Sequence, residues 1–379
     1  MNRRYLTNFT YKVIRSLLCV LLLATLASCK QASRSVVREG TDKVVVHTTK
    51  RSVTKYSSRS LRKYLYSTCG KYQFAKPRQL KKVLQQKGVS KSTIDLLKKI
   101  PISKSLLDDI VAHDYPESIL QRLAHDMPKS SRFAIAINDN PRILHAYTKF
   151  NDAVPIPIRT DVNKLNWLSN LQIQSTKESN KKNLRKYQIE NLHIGYQKGA
   201  LKYYDGETFI ASERNQIFTI AETPSGINNL LNQNLMPNSI YIMPDGAQYH
   251  IDDLGRKKQV IYMPSTGSGR RDNTLQAIGR DEHGGIEDSG INAPYDDGGH
   301  LIPHEYGGRN ELINLIPQNR NINRGIQKRI DDESFKRSIV SGEPIIKAFE
   351  YENISMPNRP TKITTRVGDW VVTIDNPLV

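Results

Sequence analysis

The sequence predicts an α+β protein, with a mostly helical N-terminal region followed by a C-terminal region built on a small antiparallel sheet. Three observations carry this. Apolar residues recur at three- and four-residue spacing between about 77 and 150. In short runs after residue 200 they alternate with polar ones, and Asp, Gly and Asn bound those runs. Between the two, Ser175 to Arg185 is polar and basic and reads as a boundary. Of 379 residues, 38% are hydrophobic and 25% charged, which excludes a multi-spanning membrane protein and a wholly disordered chain. Three cysteines exclude a disulfide-stapled scaffold.

The chain opens with Arg3, Arg4, Lys12 and Arg15 ahead of an apolar run, Ser16 to Ser28. That run is 13 residues long, whereas a spanning helix needs about 20. A basic start, a short apolar core and small residues before a cut site read as a secretion signal. The ending Leu26-Ala27-Ser28-Cys29 resembles a bacterial lipoprotein signal, which implies removal of 1–28 and lipidation of Cys29. The expected location is the cell envelope, held to the membrane through Cys29. Lys30, directly after the cysteine, points to the outer membrane over the inner one. Residues 29–70, basic and rich in Ser, Thr and Val, read as a tether.

Helices follow over 71–160. Pro77 to Lys87, stopped by Gly88, puts Leu80, Val83 and Leu84 on one face. Ser92 to Ile100 repeats the stripe before Pro101, and Ser103 to His113 and Ser118 to His125 continue it. Helices this short need to pack on each other or on a partner. His113, His125 and His145 read as solvated or hydrogen-bonded helix residues. Residues 161–237 form a linker and β-rich region, with strands at Thr208–Ala211 and Ile217–Ala221. A last region, 238–379, starts with a strand at Ser239–Met243. A β-hairpin follows over Gln248–Met263, turning at Asp252-Asp253-Leu254-Gly255-Arg256. The loop Gly267-Ser268-Gly269 lacks the Gly-Lys-Ser/Thr ending and the helix of a phosphate loop.

The chemistry concentrates in Asp296-Asp297-Gly298-Gly299-His300. Two glycines read as a tight turn exposing His300, and Asp297 as the partner that fixes its tautomer. Leu312 to Pro317 reads as a strand, and a helix begins near Ile322 that carries Asn323, Gln327 and Asp331 on one face. A histidine, an asparagine and a carboxylate without cysteine form an oxygen-rich site, suited to Mg²⁺ or Mn²⁺ and not to structural zinc. A bland alternative stands beside it, in which Asp297 and His300 brace a turn and Asn323 caps the helix.

In Asp297, Gly299, His300, Pro303, Gly307-Gly308, Asn314-Leu315-Ile316-Pro317, Asn323, Gly325 and Asp331, the sequence resembles the DNA/RNA non-specific endonucleases of the ββα-metal (His-Me finger) class. The likeness covers roughly 238–379. It implies a ββα-metal finger with His300 as general base and Asn323 as the one direct protein ligand of a hydrated Mg²⁺ (or Mn²⁺). Asn314 would support the metal site or the finger, with Gln318 behind it. The ordinary histidine pKa of roughly 6.5 suits such a base.

Two residues depart from that family's pattern. Where relatives often carry arginine stands Gly298, so Arg280 or Arg271 is expected to grip the phosphate from upstream. The helix carboxylate is commonly glutamate, and here Asp331, one methylene shorter, could act only through metal-bound water. Glu333 is the alternative, about 200° further round the helix at about 100° per residue.

The formal charge is +19, but from residue 241 onward 17 Lys and Arg face 20 Asp and Glu. The catalytic region is therefore net −3, and the positive charge belongs to the N-terminal half. That half is expected to hold a polyanion with strong salt dependence, or else anionic lipid or an export partner. No base-reading motif appears, so cleavage of DNA and/or RNA without strong sequence preference is expected. Two roles compete: a resident envelope nuclease, and a toxin whose producer keeps an immunity protein. A third reading is a non-catalytic envelope lipoprotein that binds nucleic acid or a protein partner.

Overall fold

The computed structural model describes residues 73–171, 185–267, 272–282 and 296–378. The expected leader 1–28, Cys29, the tether and Arg271 lie outside the described residues. The helical expectation holds, with α1 Pro77–Gln86, α2 Lys91–Leu97, α3 Lys104–Ala112 and α4 Glu117–Asp126. Side chains cap two of them: Ser90 accepts from Thr93 N at the start of α2, and Ser103 from Leu106 N at the start of α3. Gly88, at φ 79°, ends the first helix in the left-handed conformation. Leu80, Leu84, Ile94, Leu97, Leu106 and Leu107 are buried, as their spacing requires.

Four more helices complete this layer: α5 Ser131–Asp139, α6 Arg142–Thr148, α7 Ile156–Arg159 and α8 Val162–Ser169. Buried polar pairs tie them together. Arg159 grips Asp126 at 2.6 and 3.0 Å while Tyr147 donates to the same carboxylate at 2.6 Å. Burial pushes Asp126 up, but Arg159, Tyr147 and His125 outweigh it and hold the carboxyl below its ordinary range.

A ten-stranded sheet follows, ordered β1-β2-β3-β4-β5-β6-β7-β10-β11-β12. Its first part is β1 Leu192–Gln197, β2 Ala200–Asp205, β3 Thr208–Arg214, β4 Ile217–Ile220, β5 Ile240–Ile242, β6 Gln248–Ile251 and β7 Lys257–Tyr262. The β6–β7 hairpin turns at the expected place, with Gly255 at φ 84°. Only β4 and β5 run parallel; every other neighbouring pair is antiparallel. The helices meet the sheet through Trp167, whose ring stands edge-on to Tyr203 and Phe218, and through the buried ion pair of Lys164 and Glu213.

Outside this sheet lie the helix α9, Asn273–Glu282, and a separate two-stranded ladder, β8 Asp296–His300 with β9 Leu315–Asn319. A short α turn Arg320–Ile322, a π turn Asn323–Gln327 and the helix α10, Lys328–Ser341, then run on without a break. The chain returns to the large sheet in β10 Ile345–Glu350, β11 Lys362–Val367 and β12 Trp370–Asp375.

Candidate active site

The ladder sets Asp296 opposite Asn319, Asp297 opposite Gln318, Gly299 opposite Ile316 and His300 opposite Leu315. His300 therefore ends a strand and does not sit on the expected tight turn. Neither Gly298 nor Gly299 has a positive φ; the glycines provide space. A Cβ on Gly298 would overlap the backbone carbonyl of Gln276 on α9, and one on Gly299 would overlap the Gln318 side chain. Across the same contact, Gly279 of α9 rests on the Leu315 side chain. No arginine fits at position 298, because a helix backbone occupies that side of the strand.

The helix after β9 is capped by Asn319, whose Oδ1 accepts from Asn321 N at 2.9 Å and Ile322 N at 3.2 Å. Asn323 is thus not the cap. It opens the π turn, an irregularity that recurs at functional sites. Its Nδ2 donates to Asp297 Oδ2 at 3.0 Å, and a carboxylate can only accept, so its Oδ1 is left to accept elsewhere. That oxygen lies close to Gly299, 3.3 Å from where a Cβ would stand.

Asp297 requires a correction. It was expected to orient His300, but its two oxygens hold Asn323 and Arg324 (Nε at 2.8 Å, Nη2 at 2.9 Å). The reason is the strand itself: side chains alternate between faces, and positions 297 and 300 differ by an odd number. Asp297 and Gly299 share the face turned to the helix, so the carboxylate orients the asparagine. The same contact raises the Arg324 guanidinium above its ordinary value.

Asp331 also departs from expectation. It is 6% exposed and forms an ion pair with Lys347 of β10 at 2.8 Å, while accepting from Gln327 Nε2 at 2.8 Å. Burial pushes its carboxyl up, against the pull of Lys347 and Gln327. With Oδ1 committed this way, Asp331 braces the helix against the sheet. Gln318 extends the chain of contacts, donating to Gln327 Oε1 at 3.5 Å.

Asn314 is buried, with both ends of its amide bonded inside the finger. Its Oδ1 accepts from Tyr249 Oη and Ile302 N, both at 2.9 Å, and its Nδ2 donates to the Ile302 and Arg309 carbonyls. The ladder is locked from the other side by Arg359, which grips buried Asp296 at 2.8 Å through both Nε and Nη2 and donates to the Asn376 carbonyl at 2.6 Å. Asn376 in turn accepts from Asn319 N at 2.8 Å.

These elements enclose an open cleft of about 280 Å³ whose wall includes His300, Asn323, Glu305, Arg324, Lys328 and Asp331. His300 is half-buried, with Nε2 turned inward from solvent. Lys328 bonds Glu305 and Asp332 at 3.1–3.3 Å, contacts that raise it above its ordinary value. Arg324 and Lys328 were missed from sequence; their signal was position, one and five residues after Asn323. Arg280 sits on α9 directly after Gly279, which packs on Leu315, the partner of His300 in the ladder. Among the described residues, no three His, Cys, Asp or Glu gather as a metal cage. One amide oxygen beside carboxylates fits a hard cation that keeps most of its water shell.

Residues 237–364 match the family model described as DNA/RNA non-specific endonuclease. That span takes in the hairpin, the ladder, the π turn, α10, β10 and the first half of β11. This chain carries a DNA/RNA non-specific endonuclease domain and is a nuclease.

Proposed function

We propose that the protein cuts phosphodiester bonds in the cleft between His300 and Asn323, with little regard for base sequence. The observation that carries the reading is the Asp297–Asn323 hydrogen bond, which leaves a fixed amide oxygen at the cleft that holds His300. His300 takes the proton of the attacking water. Arg324 and Lys328 line the phosphate's approach, and Arg280 does what an arginine at position 298 cannot. Asn323 Oδ1 would hold a hydrated Mg²⁺ or Mn²⁺, which would supply positive charge at the phosphate. Asp331 acts one layer behind, keeping the π turn in place.

We further propose that the protein works at the cell envelope. Cys29 anchors the mature chain by lipid, and the nuclease serves as a resident degradative enzyme. A C-terminal nuclease behind a helical region also suits a toxin, for which a small immunity protein would be the partner.

The test uses the protein without residues 1–28, supercoiled plasmid and RNA, with Mg²⁺, Mn²⁺ or chelator. Cleavage of both polymers is expected with metal only. His300→Ala and Asn323→Ala should each lower it at least about a hundredfold, in line with general-base and metal contributions. Mn²⁺ should raise the melting temperature of His300→Ala but not of Asn323→Ala. Equal cleavage by wild type and both variants would sink the assignment.

A further inference from the structure

The positive charge of the helical layer is confined to a small part of it. Residues 76–104 carry nine Lys and Arg against one acidic residue, Asp95, whereas residues 105–171 carry seven against eight. Helix α1 concentrates it further. Its inner face is Leu80 and Leu84; its outer face is Arg78, Lys81, Lys82, Gln85 and Gln86, all exposed and lining one shallow groove of about 480 Å³. Spacings of three and four residues align these five along a single stripe.

This arrangement is unfavourable for an isolated surface. Like charges three and four residues apart on a helix repel. Lys76 and Arg78 stand at the helix start, where the macrodipole disfavours cations, and no acidic residue occupies the first turn. Among the described residues, Arg78, Lys81, Lys82 and Lys91 form no ion pair. The lone acid, Asp95, sits within the field: the Lys98 hydrogen bond at 2.8 Å, aided by the charges of Lys91 and Lys81, holds it below the usual carboxylate range.

We infer that the outer face of α1 is a docking surface for the sugar–phosphate backbone of nucleic acid, separate from the catalytic cleft. A polyanion relieves both the repulsion and the dipole. Amide side chains at the end of the stripe add hydrogen bonds to phosphate and sugar without reading sequence. A lipid surface fits less well, because membrane-lying helices present apolar residues for insertion, and here Leu80 and Leu84 are buried in the core. The surface also explains how a catalytic region of net −3 retains a polyanionic substrate.

The test is binding in chelator, so it does not depend on catalysis or on the assignment of His300. A 40-base-pair fluorescent duplex is titrated with the protein without residues 1–28 over a range of salt concentrations. Arg78→Gln/Lys81→Gln/Lys82→Gln is compared with a triple of equal charge loss, Lys129→Gln/Arg132→Gln/Arg142→Gln. The α1 triple should weaken binding by about tenfold or more and lower the salt slope by two to three, at about 0.9 per phosphate contact. The control triple should change little, and neither triple should melt below the wild type. Equal weakening by both triples, or no change in either, would overturn the proposal. So would loss of binding to vesicles containing phosphatidylglycerol while duplex binding persists.

Discussion

Gly298 shows how one missing side chain shapes the site. Its lack of a Cβ lets the backbone of α9 lie against the strand that ends in His300. Gly298→Ala should therefore shift α9 and cost about 1–3 kcal/mol, the usual penalty for overpacking a close contact. Urea titration of the variant measures this, and an unchanged midpoint would mean that α9 yields freely. The residues of the site were legible in sequence as a set, while their partners were not. Asp297 reads in sequence as the partner that fixes the His300 tautomer, yet strand alternation hands it to Asn323 and Arg324. Asn323 also competed for the role of cap, which Asn319 takes. Alternation along β8 separates Asp297 from His300, but that Asn323 and Arg324 receive the carboxylate depends on how the helix after β9 lies against the ladder, a tertiary fact.

Among the elements, the π turn and helix α10 depend on a buried pair. Lys347 is 1% exposed and lies on a strand of the large sheet, so its charge is tolerated only because Asp331 faces it. Lys347→Met leaves that carboxylate buried without its cation and should cost about 3–5 kcal/mol. Adding Asp331→Asn should recover part of the loss while keeping an acceptor for Gln327. Thermal melts of the single and double variants check this, and additive losses would count against the coupling. The amphipathic helices α1 to α4 and the β6–β7 hairpin could be read from spacing, since one face of each is apolar. Helices α6 to α8 were passed over in sequence, as was the two-residue Gly368-Asp369 hairpin turn that joins β11 to β12. Their stability comes from neighbours distant in sequence.

For the whole molecule, electrostatics sets where stability is lost. Asp126 has a folded pKa below its unfolded value, so its stabilising contribution is complete above about pH 4, the ordinary carboxylate range. That contribution disappears as the pH falls through the folded value. The melting temperature should therefore drop steeply below about pH 4. Asp126→Asn should melt lower at neutral pH and show a shallower acid decline, whereas parallel curves for the two proteins would remove Asp126 from the account. The α+β class and the nuclease region were visible from local pattern and motif. The continuous ten-stranded sheet was not, because β7 pairs with β10 across an interval that contains the entire ladder and helix.

The lock on that ladder has a consequence in time. Asp296 and Asn319 are fastened by Arg359 and Asn376, which the ribosome adds after His300 and Asn323. A growing chain thus holds every proposed reactive group of the nuclease before it holds the pair that clamps the ladder. That ladder gains its last hydrogen-bonded clamp only when synthesis has passed Asn376.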